Sequence, residues 1–537
     1  MSMSQAAIHV NSVGFLPGQQ KKATFVGNPG NDVSFSICDS TGNPVFSGKL
    51  DKIPGHPDMD SPLFRADFSP LSAPGVYRVC HGGSGVRSAE FEIGDGVYNS
   101  ALKLIMLGFY GQRCGVPVRI AHKGNVFEKK ACHLEDGCLD YFEPGRTGER
   151  KDGTGGWHDA GDYGKYIVNA GFAMGMMFAA WEQFKGNIEP MRFAIPESGG
   201  ALPDYLAECK FNLDWMLKMQ FEDGRVSHKL TRTAFAPMIM PSEDTEPRYY
   251  SPWGTDATAC FAATTAMAAR VYREYDPAYA DLCLEASSRA MSVLKETQGH
   301  VTADLSAFNT GRYARIRHTD VEWAMCEYWE TTGDPEVLRL IEFSLHNENF
   351  HVDVDWDWGL SKNLGLYTLL SSGRELRKDL RKDLREEISR DLIAAADRIV
   401  ENRDSHPFAR GLKRNYWGCN GSIARTAMNL MAAYRISGDD TYRNAAADQL
   451  SYLYGNNPFG RSFVTGEGHN PPMNPHHRPS AADGIRDPWP GHLIGGPHPT
   501  ELDWYDVTED PRTNETAINW DAALAYALAS VYDPGVN

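Results

Sequence analysis

A small β-sandwich followed by a much larger all-α domain is the fold class that this sequence predicts. Three observations predict it. Hydrophobic residues alternate with period two as far as about residue 93, and they recur with helical period beyond it. The chain is also 537 residues long, more than one core usually serves.

In the first part, short alternating runs such as 33–37 and 77–79 are divided by turn material at 28–31, 41–44 and 73–75. This spacing predicts a β-sandwich over 6–95. The texture changes after Gly94-Asp-Gly96. Helical period then fills about twelve windows: 98–113, 165–185, 202–220, 256–275, 278–297, 319–332, 335–346, 361–371, 388–403, 421–437, 440–455 and 514–531. Twelve helices over 96–537 make six pairs, which can close into an (α/α)6 barrel or stack as an open solenoid. No fixed-period repeat favours the solenoid. The charged run 374–387 alternates in sign, and Leu376, Leu380, Leu384 and Ile388 recur every fourth residue, so it reads as a solvated amphipathic helix.

Composition excludes some partners. With 70 acidic against 53 basic residues the net charge is −17, and no basic cluster interrupts it, so neither nucleic acid nor an anionic membrane is an expected partner. The longest apolar run, 167–181, is interrupted by Asn169, Gly171 and Gly175 and is too short to span a bilayer, so it predicts a buried helix. The first eight residues lack the basic start and apolar stretch of a secretory signal, which makes the cytoplasm the expected location. Ten scattered cysteines do not form a disulfide framework. No feature of the sequence indicates an oligomeric state.

Three segments carry chemistry. Residues 155–166 hold Gly155, Gly156, Gly161 and Gly164 with Trp157, Tyr163 and Tyr166, and they place Asp159 and Asp162 three apart. One turn can aim both carboxylates at one water and take its proton during attack on a sugar carbon; equally, Asp162 can cap the following helix. Residues 462–478 form a long loop in which His476 and Arg478 offer donors and an acceptor suited to sugar hydroxyls, although a surface loop with scattered histidines is the plainer reading. Glu515 opens the last helical stretch, where an acidic residue is often only a complement to the helix dipole. Cys114, Cys132, His133 and His158 are either buried side chains or the two thiolates and two imidazoles of a closed tetrahedral zinc site.

Together these segments resemble the signatures of glycoside hydrolase family 9, over nearly the whole chain. Asp-Ala-Gly-Asp stands intact at 159–162, the His-x-Arg loop matches across 462–478, and the third signature matches at Asp506, Glu515 and Ala517. It departs at Pro511 and Asp521, where an aromatic and an Asn are usual. The opening Ile8-His-Val-Asn-Ser-Val-Gly-Phe-Leu-Pro17 looks like the start of the immunoglobulin-like module that the family's bacterial subgroup places before an (α/α)6 barrel. The resemblance implies an inverting β-1,4-glycoside hydrolase. In it Asp162 is the general base, Asp159 positions the water, Glu515 is the general acid, and His476 and Arg478 bind substrate. It also implies that Cys114, Cys132, His133 and His158 hold a structural zinc, with no cofactor in the chemistry itself. Calcium is common in the family, but no loop here is specific enough to name ligands. An inverting pair should stand about 6.5–9.5 Å apart, and its acid must keep a proton near neutral pH.

The substrate expected is an oligosaccharide. Trp157, Trp253, Trp323, Trp356, Trp358, Trp417 and Trp504 are candidate sugar platforms, with Trp253 first, and Asp140 is a candidate partner for the amine of glucosamine. Without a secretion signal or a carbohydrate-binding module, exo action on short gluco- or glucosamine-containing oligosaccharides is the main expectation. The alternative is an endo-β-1,4-glucanase. An inert sugar-binding protein on the same scaffold fits poorly with the intact Asp159, Asp162 and Glu515. A glycan lyase acting on acidic sugars fits poorly with the net charge of −17.

Overall fold

The computed structural model describes residues 6–297, 299–314, 319–347, 351–374 and 384–531. Eight strands come first: β1 (Ala7–Val10), β2 (Gly14–Phe15), β3 (Lys22–Val26), β4 (Ser34–Asp39), β5 (Pro44–Ile53), β6 (Leu63–Asp67), β7 (Gly75–Cys80) and β8 (Phe91–Ile93). They run in the order β1-β3-β6-β5-β4-β7-β8-β2. The strand β5 joins the two faces of the sandwich, since its first half pairs with β4 and residues 50–53 pair with β6. Alternate residues point inward, so Phe25, Phe35, Ile37, Val79, Phe91 and Ile93 form a core of their own.

Beyond Ile93 come α1 (Asn99–Gln112), the hairpin β9 (Val118–His122) and β10 (Asn125–Lys129), and β11 (Lys165–Tyr166). Next are α2 (Ile167–Ile188), α3 (Asp204–Lys218), β12 (Lys229–Thr231), β13 (Tyr249–Tyr250), α4 (Thr255–Val271), α5 (Pro277–Glu296), α6 (Thr319–Thr332) and α7 (Pro335–Asn347). The chain continues with α8 (Lys362–Ser371), α9 (Leu384–Ser405), α10 (Cys419–Ser437), α11 (Asp440–Leu453), the short α12 (Arg478–Ala482) and α13 (Pro511–Asn514), and α14 (Ile518–Val531). Each of the twelve helical windows coincides with one of these helices.

The helices pack in two tiers. In one, α14 meets α2, α2 meets α4, α4 meets α6, α6 meets α8, and α10 returns to α14. In the other, α1, α5, α7, α9 and α11 lie against members of the first. The helix α2 is buried along almost its whole length, as its apolar run predicts, and among the described residues no helix is long and apolar enough to cross a membrane. Of the charged run, 384–387 forms the first turn of α9, and 375–383 lie outside the described residues. The two domains touch: Ser12 N donates to Tyr454 O at 3.0 Å, and Thr24 Oγ1 to Asn456 Oδ1 at 2.8 Å.

Candidate active site

Backbone hydrogen bonds fasten the three chemically loaded segments to one another. Ile518 N donates to Asp159 O at 2.9 Å, and Ala160 pairs with Ala517 as an isolated bridge. His476 N donates to Asn514 O at 2.8 Å, and Gly495 N to Glu515 O at 2.8 Å. Gly161 is required by close approach, because a Cβ there would lie 2.0 Å from His476 O. Residues some 350 positions apart in sequence thus share one rigid floor beneath a cavity of about 840 Å³ lined by Asp159, Asp162, His476, Arg478 and Glu515.

Each carboxylate has its own setting. Asp162 Oδ2 accepts from Gly164 N (2.9 Å) and the Tyr166 hydroxyl (3.0 Å), while Oδ1 takes no bond from the described residues. Asp159 accepts from Asn169 Nδ2 on Oδ1 and from the Tyr313 hydroxyl on Oδ2, both at 2.7 Å. Burial and the neighbouring Asp162 charge push Asp159 up to about 8, against the opposing pull of those two donors. Glu515 accepts from Trp417 Nε1 on Oε2 at 3.1 Å. Burial, then the charges of Asp162 and Asp159, push Glu515 up to about 8 as well, so it holds a proton at neutral pH.

The predicted substrate residues divide. His476 donates from Nδ1 to Thr508 O at 2.6 Å, leaving Nε2 as an acceptor, and burial lowers its pKa so that it stays neutral. Arg478 lines the cavity but is buried, and it spends its fork on backbone: Nε and Nη2 donate to Ala236 O (2.9 and 2.8 Å) and Nη1 to Gly161 O (2.7 Å). It clips the Asp159–Asp162 turn in place more than it offers itself to a ligand in the cavity.

Trp253 does not line the cavity, because the segment after β13 pairs back toward Ser227 and lays the indole beside Arg225. Asp140 lies outside it too, accepting from Gly148 N at 3.3 Å. Of the other tryptophan candidates, Trp358 and Trp417 line the cavity, whereas Trp157, Trp323, Trp356 and Trp504 are buried in the core. Sequence reasoning missed Tyr313, Tyr416, Phe235 and Trp520 as lining residues and Asn169 as a partner of Asp159. Tyr166 and Asn169 sit in or just after the glycine-rich segment and were within reach; Tyr313, in an unpatterned loop, carried no signal.

Immediately before the Asp159–Asp162 turn, His158 joins Cys114, Cys132 and His133 to bring four donor atoms within 4.8 Å of one another. His133 Nε2 lies 3.3 Å from Asp244 Oδ2, a carboxylate held by Arg232. That nitrogen therefore carries the proton, and Nδ1 turns a lone pair toward Cys114 Sγ (3.6 Å) and His158 Nε2 (3.2 Å). Lys129 Nζ is buried nearby with no hydrogen-bond partner among the described residues; burial lowers its pKa, against the opposing pull of charge on Cys132 and Cys114. The donors and their backing fit a closed tetrahedral zinc site. Among the described residues, one other such group exists, His56 with His406 and Glu501.

Two carboxylates on one glycine-rich turn, sharing an aromatic-lined cavity with a third that is kept protonated, are the equipment of a glycoside hydrolase. Comparison with known proteins agrees. The family model described as glycosyl hydrolase family 9 matches residues 98–528, and that described as a cellulase N-terminal ig-like domain matches residues 3–86. The chain belongs to glycosyl hydrolase family 9, with an immunoglobulin-like N-terminal domain ahead of its helical domain. It is 43% identical to Endoglucanase D of Acetivibrio thermocellus, over 97% of this chain and 83% of that one. It is 33% identical to a xyloglucan-specific endo-beta-1,4-glucanase of Bacteroides ovatus, over 98% and 94%. The structure of a metagenome-derived family 9 endoglucanase superposes with a TM-score of 0.90 at 31% identity, covering 99% of this chain and all of that one.

Proposed function

We propose that this enzyme is an inverting endo-β-1,4-glucanase, with domains dividing near residue 95 and with α2, α4, α6, α8, α10 and α14 closing as the inner ring of an (α/α)6 barrel. The observation that carries the chemistry is the backbone fastening of the Asp159–Asp162 turn to the Glu515 segment beneath one cavity. The endo reading takes precedence over exo action on short oligosaccharides because relatives spanning almost the whole chain are named as endoglucanases.

In the reaction, Asp162 accepts a proton from a water through its unoccupied Oδ1. The water oxygen bonds to the anomeric carbon on the face opposite the departing sugar. The glycosidic C–O bond breaks, and Glu515 gives its proton to the leaving oxygen, so configuration inverts. Asp159, itself protonated near neutral pH, hydrogen-bonds the water and is held by Asn169 and Tyr313. Cys114, Cys132, His133 and His158 would hold a zinc with no open position, which stiffens the loop that begins at Asp159.

The test is hydrolysis of a soluble cellulose derivative and of cello-oligosaccharides, with product anomers followed by NMR. A fall in viscosity at low sugar release, with α-configured products, is expected. End-wise release of single sugars would return the reading to exo action, and β-configured products would remove Asp162 from the role of base. Asp162→Asn should lower kcat by about a thousandfold or more. Because Glu515 must be protonated, activity should decline as pH rises past about 8.

A further inference from the structure

Trp417 stands where the acid's proton is handled. It lies in a tight turn ahead of α10, where Cys419 N donates to Tyr416 O at 2.9 Å. Gly418 (φ +85°) permits the turn, since a Cβ there would meet the ring of Trp520 at 2.6 Å. The indole therefore projects from a braced backbone into the cavity. The side chain is 49% exposed, and its Nε1 donates to Glu515 Oε2 at 3.1 Å.

An indole N–H is a donor only. While it points at Oε2, that oxygen serves best as the carbonyl acceptor, the stronger acceptor of the two in a neutral acid, and the proton is favoured on Oε1. As the proton leaves, negative charge grows on a carboxylate already facing a fixed donor, and a hydrogen bond to a charged acceptor is stronger than one to a neutral acid. The contact is therefore worth more in the transition state than in the ground state. The ring face is a separate asset, free to take part in sugar packing.

We infer that Trp417 is a positioning residue for Glu515, its indole N–H selecting Oε1 as the proton-delivering oxygen and steadying the carboxylate left behind. The inference rests on Glu515 being the general acid. Removing a donor to the charged form should raise the acid's pKa further above its usual value, in keeping with the lowering influence of Trp417 on a carboxyl that its surroundings raise overall.

The test is Trp417→Phe, which keeps an aromatic face and deletes the N–H. The C=O stretch of protonated Glu515, assigned by its loss in Glu515→Gln, is titrated by infrared spectroscopy in both proteins. Its midpoint should move to higher pH in Trp417→Phe. The basic limb of the kcat profile should move with it, and kcat should fall about ten- to a hundredfold with KM within about twofold. An unmoved midpoint overturns the inference. If the wild type hydrolyses no β-1,4-glucan, the functional reading fails, while the titration still decides the role of the indole.

Discussion

Among the described residues, two groups of three or more histidine, acidic or thiol side chains lie close enough together to hold a metal ion, and their ring nitrogens face in opposite senses. Behind the Asp159–Asp162 turn, His133 donates a hydrogen bond from Nε2 to Asp244 and turns a lone pair toward Cys114 and His158. At the seam between the domains, His56 Nδ1 accepts from Asp58 N (3.1 Å) and His406 Nδ1 accepts from Phe408 N (3.2 Å). Both of the latter rings must therefore carry their proton on Nε2, and both donate it to Glu501 Oε2, at 2.7 and 2.8 Å, while the Tyr452 hydroxyl donates to Oε1 at 2.7 Å. One cluster offers lone pairs to a cation. The other is a carboxylate already taking three donors, a clamp between the loop after β5 and the helical domain. Proximity of ligand-type residues is common to both, and the partner of the second ring nitrogen separates them.

Metal removal should have the largest effect and fall on the first cluster alone. Purified protein is expected to contain zinc in equimolar amount. Stripping it with a chelator, or Cys132→Ser, should lower stability by roughly 5 kcal/mol or more and kcat by about a hundredfold through displacement of Asp159 and Asp162. Calorimetry with elemental analysis checks this, and zinc found at His56 and His406 would break the distinction. Glu501→Ala comes next. It leaves two imidazole N–H groups and a hydroxyl facing an empty space, so a loss of about 3–5 kcal/mol is expected. Zinc content and kcat/KM should be retained, because Glu501 does not line the active-site cavity.

The same contrast marks what a sequence shows. The twelve helices of ten or more residues were legible as long stretches compatible with helical period between Gly, Pro and polar breaks, and each of the twelve windows holds one, whereas the short α12 and α13 left no pattern of their own. The site was legible in part: Asp159 and Asp162 are near neighbours on a glycine-rich turn, whereas Glu515 stood out only through family resemblance, its partnership with them being made by backbone bonds across some 350 residues. The clamp could not be read at all, since His56, His406 and Glu501 share no local pattern. Direction was also hidden: Arg478 turned out to grip carbonyls, and Trp253 to point away from the cavity that Trp417 enters. Residue type announces what a group can bind, and only the fold decides which of its atoms remains free to do so.

The smallest predicted effect is an acid dependence that belongs to the clamp. Burial alone would raise the Glu501 carboxyl, but the donors from His406 and His56 outweigh it and hold the group well below the usual carboxylate range. A carboxyl whose folded pKa is depressed contributes stability that is fully present above its unfolded value of about 4.3 and drains away as pH falls below it. Glu501→Gln is the sharper comparison here, because an amide cannot titrate, and its NH2 must face a donor that the carboxylate accepted. Melting temperatures of wild type and Glu501→Gln should therefore differ most at neutral pH and converge as pH is lowered toward 3. Acid release of zinc would lower both curves together and leave the gap unchanged. A gap that stays constant from neutral to acid pH would assign the acid sensitivity to the thiolate cluster instead of the clamp.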